Sequence, residues 1–165
     1  ERAARRFADR TRTIARLDVV EGRGPVPLLA DDGIAAILRS TRRIALVGAS
    51  SNEARPSFGV FRYLVAEGYD CVPVNPRERA VCGVAAFPTL REAVDATGPF
   101  ELVDVFRRSD LAGPHAREAV EIGARCLWLQ LGVVNWEAAR IAHEAGLAVV
   151  MDRCTAIEHR RFRDR

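Results

Sequence analysis

The chain has 165 residues, of which 48% are apolar and 28% are charged, an ordinary composition for one globular domain with a substantial core. The basic residues are all arginine, and 25 of them against 22 acidic residues leave an excess too small to indicate a nucleic-acid partner. No run approaches the roughly 20 apolar residues of a membrane span. Because the four cysteines form no C-x-x-C pair, we expect reduced thiols in a cytoplasmic protein.

Residues 1–30 are predicted to form an arm and a linker before the main domain. Arginines are frequent and apolar residues sparse in residues 1–20, and residues 22–27 have the glycine and proline content of a linker. A short helix through Arg39 should follow, with Asp31 or Asp32 as its N-cap. We expect the main domain to span residues 31–159 and to be followed by an arginine-rich tail, residues 160–165.

From residue 43 onward, apolar runs of strand length alternate with segments of helical spacing. The predicted strands are Ile44–Gly48, Asp70–Val74, a short one near Ala85–Phe87, Leu102–Phe106, Cys126–Leu131 and Ala148–Met151. The predicted helices are Phe58–Glu67, Leu90–Ala96, Leu111–Ile122 and Trp136–Ala145. This alternation predicts a Rossmann-like, doubly wound α/β domain with a mostly parallel sheet of order about 3-2-1-4-5-6. A ligand should then bind beyond the carboxyl ends of the strands.

The loop after the first predicted strand has the composition of a phosphate-binding turn. Gly48 is followed by the small residues Ala49, Ser50 and Ser51, and Ser57 precedes the next helical pattern. Small side chains let backbone N–H groups approach an anion, which the positive end of a helix also favours. Gly59 is expected to let that helix pack closely against the sheet. The G-x-G-x-x-G fingerprint is absent, so a plain structural turn stays an alternative.

The loop after the second predicted strand distinguishes between cofactors by charge. Proteins that bind NAD usually carry Asp or Glu there, whereas this chain has Asn75, followed two residues later by Arg77. A guanidinium group suits an additional ribose phosphate, as in NADP or coenzyme A. Alternatively, Arg77 is only a solvated turn residue. Pro73 and Phe106 are candidates to flank an adenine ring, and Arg107 follows the central strand at the same edge.

Signals for catalysis are sparse in this sequence. His115, His143 and His159 are isolated from one another, so no spacing of metal ligands emerges. Cys154 is the best candidate thiol because it follows the last predicted strand and neighbours Arg153, which favours the thiolate. A buried structural cysteine is the alternative. We therefore assign no catalytic residue and no metal site.

Five motifs, taken in order, resemble the small bacterial and archaeal CoA-binding proteins, which are similar to the CoA-binding domain of the succinyl-CoA synthetase α subunit. The resemblance extends over about residues 32–159. Its motifs are Val47–Asn52 with Arg55–Ser57, Val72–Pro76, Val103–Arg107, Trp128–Val133 and Met151–Cys154.

The resemblance implies a Rossmann-like domain that holds coenzyme A by its 3′-phospho-ADP and pyrophosphate groups. The pyrophosphate region would contact Gly48, Ala49, Ser50 and Ser57, with Ser51 in the same loop. The adenosine and its 3′-phosphate would contact Pro73, Asn75 and Arg77. The rest of the groove would be lined by Phe106, Arg107, Gln130 and Gly132.

The same resemblance bears on whether the chain is an enzyme. The synthetase phosphorylates a histidine in a second domain and requires an ATP-binding partner subunit, and no histidine here lies in a matching motif. We therefore expect a CoA carrier, sensor or regulatory module rather than an enzyme. The alternatives are an NADP-dependent oxidoreductase and the CoA-binding subunit of an acyl-CoA ligase. A homodimer is also considered, because Trp128, Trp136 and the N-terminal arm offer interface material.

Overall fold

Five parallel strands form the central sheet of this computed structural model, which describes residues 2–164. The strands are β1 (Arg43–Val47), β2 (Asp70–Val74), β5 (Leu102–Val105), β6 (Cys126–Leu129) and β7 (Ala148–Val150). Their order across the sheet is β2-β1-β5-β6-β7, and every neighbouring pair is parallel. The strands are short apolar runs because both of their faces are covered by helices. The predicted Rossmann-like α/β fold is confirmed.

The third predicted strand, Ala85–Phe87, is not a strand of this sheet. Two-residue strands β3 (Ala80–Val81) and β4 (Val84–Ala85) form a separate antiparallel pair. Phe87 makes only an isolated parallel bridge to Val74 at the edge of the sheet. Pro88 follows directly and has no N–H to extend the pairing. The predicted order therefore holds, except that its outermost strand is reduced to a single bridge.

The helices cover both faces of the sheet and enclose two apolar cores. Helices α2 (Asp31–Ser40), α3 (Pro56–Ala66) and α7 (Thr155–Phe162) contribute to one core, which includes Trp128. The other core takes side chains from α4 (Leu90–Thr97), α5 (Ala112–Glu121) and α6 (Trp136–Glu144). Helix α7 was not predicted, because Glu158, His159 and two exposed arginines lie between its buried residues Ala156 and Phe162 and interrupt the apolar pattern. It begins at the same edge of the sheet as the predicted ligand loops.

The predicted arm contains a 20-residue helix, α1 (Arg2–Glu21), which buries none of its residues. Val19 packs partly against the second core, and the Arg16 guanidinium lies 3.1 Å from the Asp152 carboxylate. Trp128, by contrast, is fully buried and donates its indole N–H to the Arg153 carbonyl. Trp128 therefore cannot contribute to a dimer interface, and the homodimer stays a prediction. The proposed domain boundaries also stay predictions.

The cysteines are all free thiols, and none is paired with another. Cys71 and Cys126 are buried in the core, and burial raises the pKa of both thiols. Cys82 is exposed and Cys154 is half-buried. Among residues 2–164, no helix is both long enough and apolar enough to cross a membrane.

Candidate functional site

A groove of about 930 Å³ lies at the carboxyl ends of strands β1, β2, β5 and β6. This is the edge where doubly wound sheets bind their ligands, next to the point where the strand order reverses between β1 and β5. The groove is lined by Gly48, Ser50, Arg55, Pro56, Ser57, Val60, Asn75, Pro76, Arg77, Glu78, Phe106, Arg107, Arg108, Gln130, Leu131, Val133 and Cys154. Serine hydroxyl groups, arginine guanidinium groups and a glycine without a side chain together make the groove suitable for an anionic ligand.

Gly48 directly follows strand β1 and brings two loops of the groove together. Its φ of 83° lies in the left-handed region, and its N–H donates to the Val74 carbonyl at 2.8 Å. A Cβ atom here would collide with the carbonyl group of Phe106, whose carbon would lie only 3.0 Å away. Glycine is therefore required by the neighbouring loop after β5, in addition to any role toward a phosphate.

The N-terminus of helix α3 forms one wall of the groove. Arg55 occupies the N-cap position without a side-chain hydrogen bond to the helix, and Pro56 is the first helical residue. Ser57 follows and is only 3% exposed. The expectation that Gly59 allows close packing on the sheet is wrong, because a Cβ atom there would meet nothing within 4 Å. Pro56 and Ser57, the first two residues of this 11-residue helix, line the groove, so the positive end of the helix faces the groove.

Glu78 lies in the lining of the groove and holds the first loop. Its Oε1 atom accepts from the backbone N–H of Ser51 at 2.9 Å and from the Ser51 hydroxyl at 3.1 Å. These two hydrogen bonds hold the pKa of the Glu78 carboxyl below its usual range. Ser51 is consequently directed to Glu78, whereas Ser50, whose Oγ accepts from the Asn52 N–H, lines the groove itself.

Asn75 links the loops that follow β1 and β2. Its Nδ2 donates to the Ala49 carbonyl at 2.9 Å, and its Oδ1 accepts from the Arg77 backbone N–H at 2.9 Å. The second bond is an Asx turn, which fixes the backbone that carries Arg77. The Asn75 side chain thus already has two protein partners, and its main contribution is to hold Arg77 at the rim.

Three exposed arginines line the groove, and their guanidinium groups have no carboxylate partner among the residues that the structure describes. They follow three different elements and are Arg55, Arg77 and Arg107. A fourth, Arg108, is engaged with Asp110 at 2.9 Å. Unpaired guanidinium groups that surround one cavity create a positive potential there, which attracts an anionic ligand.

A buried polar network lies beneath the end of the groove that is opposite to Arg77. Asp104, in the central strand β5, is completely buried, and its two carboxylate oxygens accept from Gln130 Nε2 at 2.8 and 3.0 Å. The Thr155 hydroxyl donates to the same carboxylate at 2.9 Å. Burial raises the pKa of Asp104 to about 7, although the hydrogen bonds from Gln130 and Thr155 oppose that shift. Only Gln130 connects this network to the groove.

The structure brings together eight of the twelve predicted site residues. The residues that line the groove are Gly48, Ser50, Ser57, Asn75, Arg77, Phe106, Arg107 and Gln130. Ala49 and Pro73 are buried next to it, and Ser51 is directed to Glu78. Gly132 is exposed outside the lining, where its N–H donates to the Asp152 carboxylate at 2.6 Å. Contact of any of these residues with a ligand stays a prediction.

Some residues of the groove were not among the twelve predicted. Arg55 had a sequence signal, since it directly precedes the proline that begins helix α3. Cys154, the candidate thiol, lines the groove at the N-cap of α7. Leu131 and Val133 contribute apolar surface that no local pattern indicates. Among residues 2–164, no cluster of three or more His, Cys, Asp or Glu side chains is arranged to hold a metal.

Comparison with known proteins agrees with this architecture. The family described as the CoA binding domain matches residues 42–160. The protein YneT of Bacillus subtilis (strain 168) is 40% identical over 126 residues, which are 76% of this chain and 91% of YneT. A solved structure from Pyrococcus horikoshii OT3 is 38% identical with a TM-score of 0.77, covering 81% of this chain and 92% of that one. Another, from Thermus thermophilus, is 34% identical with a TM-score of 0.75, covering 81% and 99%.

Proposed function

The chain belongs to the family of CoA-binding domains, and we propose that it holds coenzyme A in the groove by its pyrophosphate and 3′-phosphate groups. The observation that carries the proposal is the set of three guanidinium groups that surround the groove without carboxylate partners among residues 2–164. Coenzyme A presents its phosphates at two separated positions, which suits charges on separate loops.

The strand order suggests how the ligand lies. Arg77 follows β2, at one end of the groove, and suits the 3′-phosphate of the adenosine. The N-terminus of α3 and the turn at Gly48 follow the neighbouring strand β1 and suit the pyrophosphate. The pantetheine arm would then extend over β5 and β6, past Phe106 and Gln130.

We infer further that the chain acts as a carrier, sensor or regulatory module without chemistry of its own. None of the three histidines lines the groove. His115 pairs with Glu118 on its own helix, and His159 is hydrogen-bonded to Tyr63 at 2.8 Å, away from the cavity. The groove contains one thiol, Cys154, and no nucleophile with an adjacent general base.

Thermal unfolding of the ligand-stripped protein tests the proposal. We expect CoA to stabilise the protein more than dephospho-CoA, NADP or NAD, and a ligand at 100 times its Kd should add about 2.7 kcal/mol. Stabilisation by NADP but not by CoA would contradict the proposal and favour the NADP-dependent oxidoreductase. Copurification with an ATP-binding subunit, with acyl-CoA formation by the pair, would replace the non-catalytic role by that of a ligase subunit.

A further inference from the structure

The side chain of Gln130 joins the buried network to the floor of the groove. It is 4% exposed and lines the cavity. Its Nε2 atom lies within 3.0 Å of both Asp104 oxygens and 2.8 Å from Thr155 Oγ1. Both N–H bonds of the amide are therefore directed into the protein.

The other end of the same amide has no protein partner. Gln130 Oε1 accepts no hydrogen bond from the residues that the structure describes. Among residues 2–164, Trp136 Nε1 is the only buried side-chain nitrogen or oxygen atom without a hydrogen-bond partner, so Gln130 Oε1 is accessible to solvent. Gln130 Oε1 must therefore open into the groove, where its lone pairs are available to a donor.

Asp104 determines this orientation. Above its pKa of about 7 the Asp104 carboxyl is ionised and can only accept hydrogen bonds, and the Thr155 hydroxyl donates its single proton to Asp104 Oδ2. Thr155 Oγ1 is therefore an acceptor toward Gln130. If the amide were reversed, its oxygen would face three acceptor atoms in a buried site, at a large cost in desolvation and repulsion.

We propose that Asp104 is a positioning residue that turns the carbonyl oxygen of Gln130 into the groove, where it accepts a hydrogen bond from an amide N–H of the pantetheine arm. This inference rests on the proposed binding of CoA. Strand β6, which Gln130 follows, lies two positions from β1 and three from β2. Gln130 is thus on the opposite side of the pyrophosphate turn from Arg77, the side that the amide-bearing arm would reach.

A pair of ligands isolates this contact. Adenosine 3′,5′-bisphosphate carries the 3′-phosphate but lacks the pantetheine arm. At a pH well above 7, where Asp104 is ionised, we expect Gln130→Met to lower the affinity for CoA roughly two- to ten-fold, as for one neutral hydrogen bond, and to leave bisphosphate binding unchanged. Asp104→Asn should weaken CoA selectively as well, because an asparagine can donate and no longer fixes the amide. Arg77→Ala is the matched control, since it should weaken both ligands.

The outcomes separate the two proposals. Equal losses for both ligands in Gln130→Met, or none, would overturn the positioning role and leave CoA binding intact. Failure of the wild-type protein to bind either ligand would overturn both. If a variant does not fold, hydrogen exchange in the wild-type protein tests the same orientation. The Nε2 protons of Gln130 should exchange slowly with solvent in the ligand-free protein, and fast exchange would contradict the proposed orientation.

Discussion

The Asn75–Arg77 end of the groove is exposed and charged, whereas the end formed by Asp104, Gln130 and Thr155 is buried. At the buried end, the Asp104 carboxyl lies beneath the Gln130 amide. At the first end, a side-chain hydrogen bond fixes the backbone and leaves the guanidinium free in solvent. At the second, four hydrogen bonds fix the side chains themselves.

The difference implies a division of tasks between the two ends. An exposed guanidinium attracts a phosphate over a distance, tolerates small displacements and is screened by salt. A buried amide has one orientation, so it selects for a donor at one position. The exposed end should therefore supply charge-dependent affinity, and the buried end should supply specificity at an expense in stability. Each of the following changes acts on one end or on the turn between them.

The largest effect is expected for the pH dependence of stability at the buried end. Asp104 has a folded pKa of about 7, above its ordinary value of 3.8, so folding favours the protonated carboxyl. The unfolded chain loses this proton first, and stability should fall as the pH rises from 4 to 7, by on the order of 4 kcal/mol. Urea unfolding at several pH values should show this decline.

The control for this prediction is Asp104→Asn, which cannot titrate. The difference in unfolding free energy between wild type and variant should change between pH 4 and 7 and be constant above that range. Cys71 and Cys126, which interact with Asp104, do not interfere because burial raises the pKa of both thiols. A difference that is flat over the whole range would contradict the buried, proton-binding carboxyl.

The next effect concerns the turn between the two ends. Gly48→Ala places a Cβ atom against the Phe106 carbonyl and forces a side chain into a left-handed conformation. Strain and overpacking together should cost roughly 3 kcal/mol of unfolding free energy. Gly59→Ala is the matched control, since its Cβ meets open space in a helix, and it should stabilise by about 0.5 to 1 kcal/mol. Equal effects in the two variants would contradict the close approach at Gly48.

A smaller effect is expected for the charged end. Arg77→Ala should weaken CoA by roughly 1.5 to 3 kcal/mol, the usual scale for a hydrogen bond to a charged group. Dephospho-CoA, which lacks the 3′-phosphate, should be almost unaffected. Arg79→Ala removes the same charge two residues away, outside the lining of the groove, and should change little. Titration calorimetry with both ligands decides, and equal losses would remove Arg77 from the 3′-phosphate.

The smallest effect is the salt dependence of binding. Between 50 and 200 mM salt, the affinity for CoA should fall a few-fold, because exposed charges are screened. Arg77→Ala should flatten that dependence, whereas Gln130→Met should lower the affinity without changing the slope. A changed slope in Gln130→Met would show that the two ends do not act independently.

The sheet could be predicted because its strands are continuous apolar runs, such as Ile44–Val47, separated by amphipathic helices. Local sequence patterns gave the wrong secondary structure where a strand pairs through a single bridge, and missed a helix that buries only one face. Phe87 makes one bridge, which its local sequence does not distinguish from a strand. Helix α7 presents mostly charged side chains, and its buried contacts with α2 and α3 are long-range.

The site was predictable where a residue immediately follows a strand, as Gly48, Asn75 and Phe106 do. The loops at this edge follow from the topology alone. The buried network was not predictable, because Asp104 lies 26 residues from Gln130 and 51 from Thr155. Asp104 also occupies the middle of an apolar strand, where the sequence gives no sign of its partners.

The crystal structure of the protein with coenzyme A is the most direct test of the account. We expect the adenosine 3′-phosphate within hydrogen-bond distance of the Arg77 guanidinium and the pyrophosphate at the N-terminus of α3. The pantetheine arm should pass Gln130 with an amide N–H directed at its Oε1 atom. A ligand that lies outside the groove, or that extends in the opposite direction with its pantetheine arm at Arg77, would contradict the division between the two ends.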